Sequence, residues 1–352
     1  MFLRKSKFKN TFIIAGLFLS ALVGAGFGSG REVFVYFASL GPVGAFGWVS
    51  SCLLLGLASA RVLALVCRGK FTRVDQVAGF VAKGKMKKLF TLTTLMFAFI
   101  GYVAMLSGIR EVLEPVFPAV CRRFPLLFGI LTGGIVAAFS MLMLTGNFSA
   151  FARVCAIVTP VIIFFVALVS IFAAFITPNA HTTHHFTIPK MATLILKSGL
   201  YTGYNVLFLL GVLGRAGDLS ADEDAIRRGS LLGAGMFLAC GLCIFVGLGI
   251  LPPELAAQNL PLPAAIYAWS AALGRIFSCI LSFAMLLCAA CNLGAVGSLF
   301  GKKTLYGSVF AILGIPLSYI GFDSVISVVY PLFGFVGILF LLTLAQTRRK
   351  IV

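Results

Sequence analysis

Long apolar runs alternate with short polar, mostly basic segments along the whole chain; residues 12–23, 161–176 and 231–251 are examples. A membrane-spanning helix needs roughly 20 mostly apolar residues, because the hydrocarbon core is about 30 Å thick and each residue rises about 1.5 Å. Lipid offers no partner to exposed backbone N–H and C=O groups, so runs of this length are predicted to be helices. The pattern predicts spans at residues 11–40, 43–67, 89–113, 125–144, 150–176, 191–213, 230–251, 271–300, 304–320 and 325–345. The first is interrupted near residues 24–30, and the sixth by a polar, aromatic, glycine-containing patch at 197–205. The expected fold is therefore an all-α integral membrane protein of about ten transmembrane helices.

Composition agrees with that pattern. Of the 352 residues 60% are hydrophobic and only 11% charged, where a soluble domain carries roughly 25% charged residues; the mean hydropathy is +1.08. The net charge of +18 follows the loops. With the N-terminus inside, twenty Lys and Arg fall on the cytoplasmic side, from Arg4 to Lys350, against Arg110, Arg122, Arg123 and Lys190 opposite. This positive-inside bias places both termini in the cytoplasm, consistent with an even number of spans. The basic residues before the first apolar run resemble a signal peptide, but no A-x-A site follows, so a retained first span is expected. No basic, aromatic-interleaved stretch long enough for nucleic acid occurs. The nine cysteines fall mostly in apolar runs and suggest small-residue packing rather than disulfides.

Two loops suggest helices of their own. Ser220 followed by Glu223 has the spacing of a capping box, and residues 71–88 have the composition of a basic interfacial helix. Phosphate-loop spacing at Gly79, Gly84 and Lys85 is spoiled by Met86, where Ser or Thr would hold magnesium. With no HExxH or G-x-S-x-G and few intramembrane carboxylates, neither an enzyme nor a cofactor is expected.

The most informative stretch is Gly24-Ala-Gly-Phe-Gly-Ser-Gly-Arg-Glu32. Four glycines in seven residues disfavour a helix, each costing roughly 1 kcal/mol relative to Ala, and two ionisable residues follow directly. Irregular backbone at membrane depth is tolerated where protein or a water-filled cavity satisfies its polar groups, and charges there are functional candidates. The alternative is that the glycines allow close helix packing and that Arg31 and Glu32 mark the end of the span. The apolar stretch 33–40, with the turn Gly41-Pro42 only after it, favours a discontinuous helix. Interruptions at corresponding positions five spans apart, in spans one and six, are the signature of an inverted-repeat transporter with its site at the repeat interface. Repeat one would cover residues 11–177 and repeat two residues 190–345 of a single transport domain.

The glycine run, together with Tyr201-Thr-Gly-Tyr204-Asn205 in span six, resembles the YkvI-type bacterial membrane proteins, relatives of the amino acid–polyamine–organocation transporters. That resemblance implies the leucine-transporter fold of five plus five spans, with spans one and six discontinuous and the substrate between them. It implies substrate contacts from Gly24, Gly26, Phe27, Gly28, Ser29, Glu32, Gly199, Tyr201, Tyr204 and Asn205, and from Tyr102 in span three. It further implies ion ligands from Val23 and Gly26 at the break and Ser282 in span eight, although span eight has no adjacent hydroxyl pair and span five no lysine to carry a proton.

Other roles stay open at this level. Glu32 can bind a coupling proton, pair with a cationic substrate, form a static pair with Arg31 or cap the second half-helix. Arg31 can bind a carboxylate or snorkel to the interface, and Tyr102 can simply be packed and hydrogen-bonded to a neighbour. Two Cys-x-x-Cys pairs, at 240–243 and 288–291, lack nearby His, and packing explains them without a metal. His181, His184 and His185 cluster in a solvated loop. The expected function is secondary transport of a small polar or charged, amino-acid-like solute by alternating access, coupled to sodium or a proton, in the lipid of a bacterial inner (cell) membrane. A non-transporting receptor, sensor or scaffold on the same fold is the alternative, and a channel is disfavoured by the lack of a repeated pore loop.

Overall fold

The computed structural model describes residues 2–176, 188–214, 222–298 and 303–347. The histidine cluster, Ser220 and the C-terminal basic residues lie outside them. Among the described residues there is no strand. The helices are α1 (Phe2–Leu22), α2 (Ala25–Gly28), α3 (Arg31–Tyr36), α4 (Gly44–Gly69), α5 (Val74–Val81), α6 (Gly84–Leu113), α7 (Pro118–Arg123), α8 (Pro125–Thr145) and α9 (Phe148–Ile176). They continue with α10 (Ile188–Leu213), α11 (Glu223–Ile250), α12 (Pro253–Ala256), α13 (Pro261–Trp269), α14 (Ala271–Ser298), α15 (Lys303–Leu317), α16 (Phe322–Ser324) and α17 (Tyr330–Gln346). Eight helices among the described residues are long and apolar enough to cross a membrane, and two shorter apolar ones, Lys9–Leu22 and Thr304–Ile320, occupy the places of the first and ninth predicted spans.

Hydropathy set the helix boundaries; packing set which helices lie inside. In α10, α14 and α6 the apolar window is 72%, 67% and 61% buried, against 33% in α9 and in the last span. The interior is thus built by α6, α10 and α14, which touch one another, with α1 against α10 and α14, while large apolar side chains such as Phe46, Ile157 and Phe175 point outward. That is the arrangement lipid permits and water does not. A π-helical stretch, Val325–Val329, leads directly into α17, and such local widenings often mark functional sites.

Span six departs from expectation. Residues 197–205 do not interrupt it: α10 is one continuous helix. Two of its polar side chains bond to the helix itself, Thr202 Oγ1 donating to the Ser198 carbonyl at 2.8 Å and Asn205 Nδ2 to the Tyr201 carbonyl at 2.9 Å. Gly203 serves close approach instead, since a methyl on it would strike the Gly334 carbonyl and one on Gly337 would strike the Gly203 carbonyl. The small-residue packing considered for span one is therefore what Gly203 of span six does.

The loop helices are also adjusted. The basic segment after α4 forms only the eight residues of α5, its start closed by Gln76 Oε1, which accepts from the amides of Thr72 at 3.0 Å and Arg73 at 3.2 Å. Gly84, at φ +57°, then turns the chain into α6. The cap of α11 is Asp222, whose carboxylate accepts from Ala225 N at 3.0 Å, and Glu223 turns to pair with Arg68 at the end of α4.

Candidate functional site

The first span is broken in the structure. Helix α1 ends at Leu22, Gly24 is extended at φ −110° and ψ −162°, and α2 runs for only four residues. Gly30, at φ +86°, reverses the chain before α3; this left-handed conformation carries little penalty for glycine. The break is closed on by its neighbours. A methyl on Gly24 would lie 2.9 Å from Met105 Cε of α6 and 3.3 Å from Cys288 Sγ of α14, and one on Gly28 would meet Leu281 of α14. Ala25 N donates to Met105 Sδ at 3.4 Å.

Glu32 folds back into this break. Its side chain fills the space where a side chain on Gly26 would stand, and Tyr204 Oη of α10 donates to Glu32 Oε2 at 3.1 Å. Glu32 is 5% exposed, and among the described residues no other Asp, Glu, Lys, Arg or His is buried. Around it stands a group of tyrosines from three helices. The Tyr36 ring lies 5.5 Å from both Tyr201 and Tyr204, those two are 5.2 Å apart, and Tyr330 of α17 is 4.8 Å from Tyr204. Trp48 of α4 joins at 5.6 Å from Tyr201, with its indole N–H donating to the Leu238 carbonyl at 3.0 Å. The Tyr36 and Tyr201 hydroxyls are buried without a hydrogen-bond partner. Such groups cost free energy until something pairs with them.

Arg31 does not pair with Glu32. Its guanidinium reaches Asp323 of α16, Nε to Oδ1 at 2.8 Å and Nη2 to Oδ1 at 2.7 Å, and Nη1 donates to the Ala257 carbonyl just after α12 at 2.8 Å. The Leu262 amide of α13 donates to the Ser29 carbonyl at 3.0 Å. The break is thereby clasped on that side to the last span and to the α12–α13 segment. Lys197, near the middle of α10, donates to the Val35 carbonyl at 2.6 Å and holds the end of α3.

The structure brings several expected residues together and leaves others apart. Gly26, Glu32, Tyr201 and Tyr204 meet at one place. Gly24 and Gly28 lie at the break against sulfur and leucine, Ser29 Oγ donates to the Gly26 carbonyl at 3.3 Å, and Asn205 braces Tyr201 from within α10. Phe27 faces the other end of the aromatic group, stacked 4.4 Å from Phe237 and 5.8 Å from Trp48. Gly199 faces Ile338 of α17. Tyr102 donates to the Ala311 carbonyl at 3.3 Å and its ring covers Gly314, both on α15, so it is a packed tyrosine of span three. Val23 continues the hydrogen bonding of α1, its amide donating to Leu19. Ser282 Oγ donates to the Ser278 carbonyl of its own helix at 2.8 Å; what α14 turns toward the break is Leu281 and Cys288. Sequence reasoning missed Tyr36, Tyr330 and Trp48. Tyr36 was within reach of it, standing one helical turn after Glu32 and so on the same face; Tyr330 and Trp48 carry no local signal.

No family model matches the chain. It is 24% identical over 336 residues, 93% of each sequence, to an uncharacterized membrane protein, YkvI, of Bacillus subtilis (strain 168). Two solved structures resemble it across most of its length. One is MHP1, a nucleobase-cation-symport-1 family transporter in a closed conformation with bromovinylhydantoin bound, at TM-score 0.54 and 13% identity over 92% of this chain and 74% of that one. The other is a manganese transporter of Eremococcus coleocola, in complex with an aromatic bis-isothiourea compound, at TM-score 0.54 and 13% identity over 98% and 78%. At these identities the likeness establishes a shared fold.

Proposed function

We propose that the protein is a secondary transporter that moves a small polar or charged organic solute across the cell membrane of a bacterium by alternating access. The observation that carries this reading is the broken first span, with a buried carboxylate folded into the break and one side clasped by Arg31, Asp323 and the α12–α13 segment. Irregular backbone at membrane depth is tolerated where protein or a water-filled cavity satisfies its polar groups, and a buried charge beside it is a functional candidate. A clasp that crosses from span one to span ten can open without unfolding either helix. The transporter fold shared with MHP1 and the manganese transporter supports the reading.

In this proposal ten spans, in two repeats over residues 11–177 and 190–345, carry the site between them, with both termini cytoplasmic. Gly26, Glu32, Tyr201 and Tyr204 contact the solute, and transport is coupled to an ion at the break. Purified protein in proteoliposomes tests it: wild type is expected to carry out saturable solute flux. Gly26→Leu drives a side chain into the volume held by Glu32 and is expected to abolish that flux while leaving membrane insertion and yield near wild type. Full flux in Gly26→Leu would sink the site, and ligand binding without flux would make the protein a receptor.

A further inference from the structure

We infer that Glu32 and the tyrosines around it form a site for one organic ammonium ion, and that this ion and a proton compete for the Glu32 carboxylate, so that the protein exchanges one cation for one proton. The inference rests on the transport reading and names its substrate class.

Charge comes first. Glu32 is the one buried carboxylate among the described residues, and no buried Lys, Arg or His accompanies it. The basic groups nearest along the chain or on facing helices are committed elsewhere, Arg31 to Asp323 and Ala257, and Lys197 to Val35 and Ser39. The titratable groups facing Glu32 are Tyr36 on its own helix, Tyr201 and Tyr204 on α10, Tyr330 on α17 and Cys288 on α14. All are neutral when protonated, so none compensates a carboxylate. A charge that leaves water must be neutralised, and here the two means are a proton on the carboxyl or a cation beside it. The site offers one negative group and no positive side chain, which favours a cation over an anion or a zwitterion.

The walls fit the same ligand. Tyrosine and tryptophan faces attract ammonium groups through the negative potential of the ring, and aromatic boxes recognise alkylammonium ions in this way. Tyr36, Tyr201, Tyr204 and Tyr330 close on one another at 4.8–5.5 Å between ring centres. The hydroxyls of Tyr36 and Tyr201 are buried with free lone pairs, able to accept N–H from an ammonium. In the structure the Glu32 side chain lies over Gly26; a bound cation would draw the carboxylate out among the rings.

The exchange balances. On one side of the membrane the O–H bond of protonated Glu32 breaks, the proton passes to water and the carboxylate pairs with R–NH3+. On the other side the cation leaves and water returns a proton to the same oxygen. No oxidant, reductant or covalent intermediate is needed.

The test measures proton release. Purified protein in weakly buffered detergent solution, with a pH-indicating dye, is titrated with millimolar alkyl- and arylammonium ions from tetramethylammonium to phenethylammonium. Wild type is expected to release about one proton per cation bound, with affinity rising about tenfold per pH unit wherever the empty protein holds that proton. Glu32→Gln is expected to lose both binding and release. Tyr204→Phe keeps the carboxyl and is expected to keep the one-proton ratio, which guards against a fold defect in the first variant. No release from wild type with any ion of the series, or release that persists in folded Glu32→Gln, overturns the inference. Proteoliposomes separate the two readings. An acid interior is expected to drive uptake of the bound ion. Binding with release but no uptake removes transport and leaves the site, whereas equal flux of a neutral or anionic solute in wild type and Glu32→Gln leaves transport and removes the cation site.

Discussion

Arg31 and Glu32 are adjacent in sequence and do different work. Glu32 turns inward against Gly26 and Tyr204, while Arg31 turns to Asp323 and to the carbonyl of Ala257. Their separation follows from the half-helix α3, which begins at Arg31 immediately after the left-handed Gly30 and so presents consecutive side chains to different sides. The Arg31–Asp323 pair is partly exposed, with side-chain accessibilities of 13% and 35%, and such pairs contribute up to about 1 kcal/mol. Its value is positional, since it joins span one to the last span. Arg31→Asp and Asp323→Arg are each expected to slow solute flux several-fold, and the double exchange to recover part of it. A double exchange no faster than the singles would show that the two side chains do not act as a pair.

At the scale of elements, the contrast between spans one and six is instructive. Both hold glycines and polar residues, yet only span one breaks. In α10 Thr202 and Asn205 each find an acceptor one turn back, and Gly203 presses against Gly334 and Gly337 of α17. In span one, Gly24 and Gly30 take conformations outside the helix, and neighbouring helices fill the space beside Gly24, Gly26 and Gly28. Gly203→Leu would force α10 and α17 apart. Inserting bulk into a packed core costs about 1–3 kcal/mol or more, so the variant is expected to lower the midpoint of thermal unfolding in detergent by several degrees, while Gly235→Leu, at a glycine with open space around it, leaves the midpoint within error. Similar midpoints for the two would refute the close crossing.

For the whole molecule, the proposed orientation rests on the distribution of loop charge, and two native cysteines can measure it. Cys67 lies near the end of α4 and Cys121 in α7, between α6 and α8, and both are half-buried. If both termini are cytoplasmic, Cys121 faces outside and Cys67 inside. Of these two, Cys121 is expected to react with a membrane-impermeant maleimide in intact cells, and Cys67 only after permeabilisation. Burial and the nearby Glu114 carboxylate raise the Cys121 thiol above its ordinary value, with Arg110 opposing. The reactive thiolate therefore forms at higher pH than in a free thiol, and labelling is expected to quicken as the medium is made alkaline. The reverse labelling pattern would invert the topology.

The sequence by itself located the long apolar helices, though not the short ones α7, α12 and α13, because a spanning helix is specified by its own apolar length and needs no partner to satisfy its backbone. It also marked the break in span one, since four glycines beside two ionisable residues are a local signal of weak helix. Whether a polar, glycine-bearing patch breaks a helix or seats a neighbour depends on what lies across from it, and only the tertiary structure decided that for span six. The same holds for the site. Arg31 finds Asp323 nearly three hundred residues on, and Tyr330 and Trp48 reach the tyrosine group from helices remote in sequence. Burial, pairing and ring contact are properties of assembled helices, so no periodicity or propensity along the chain encodes them.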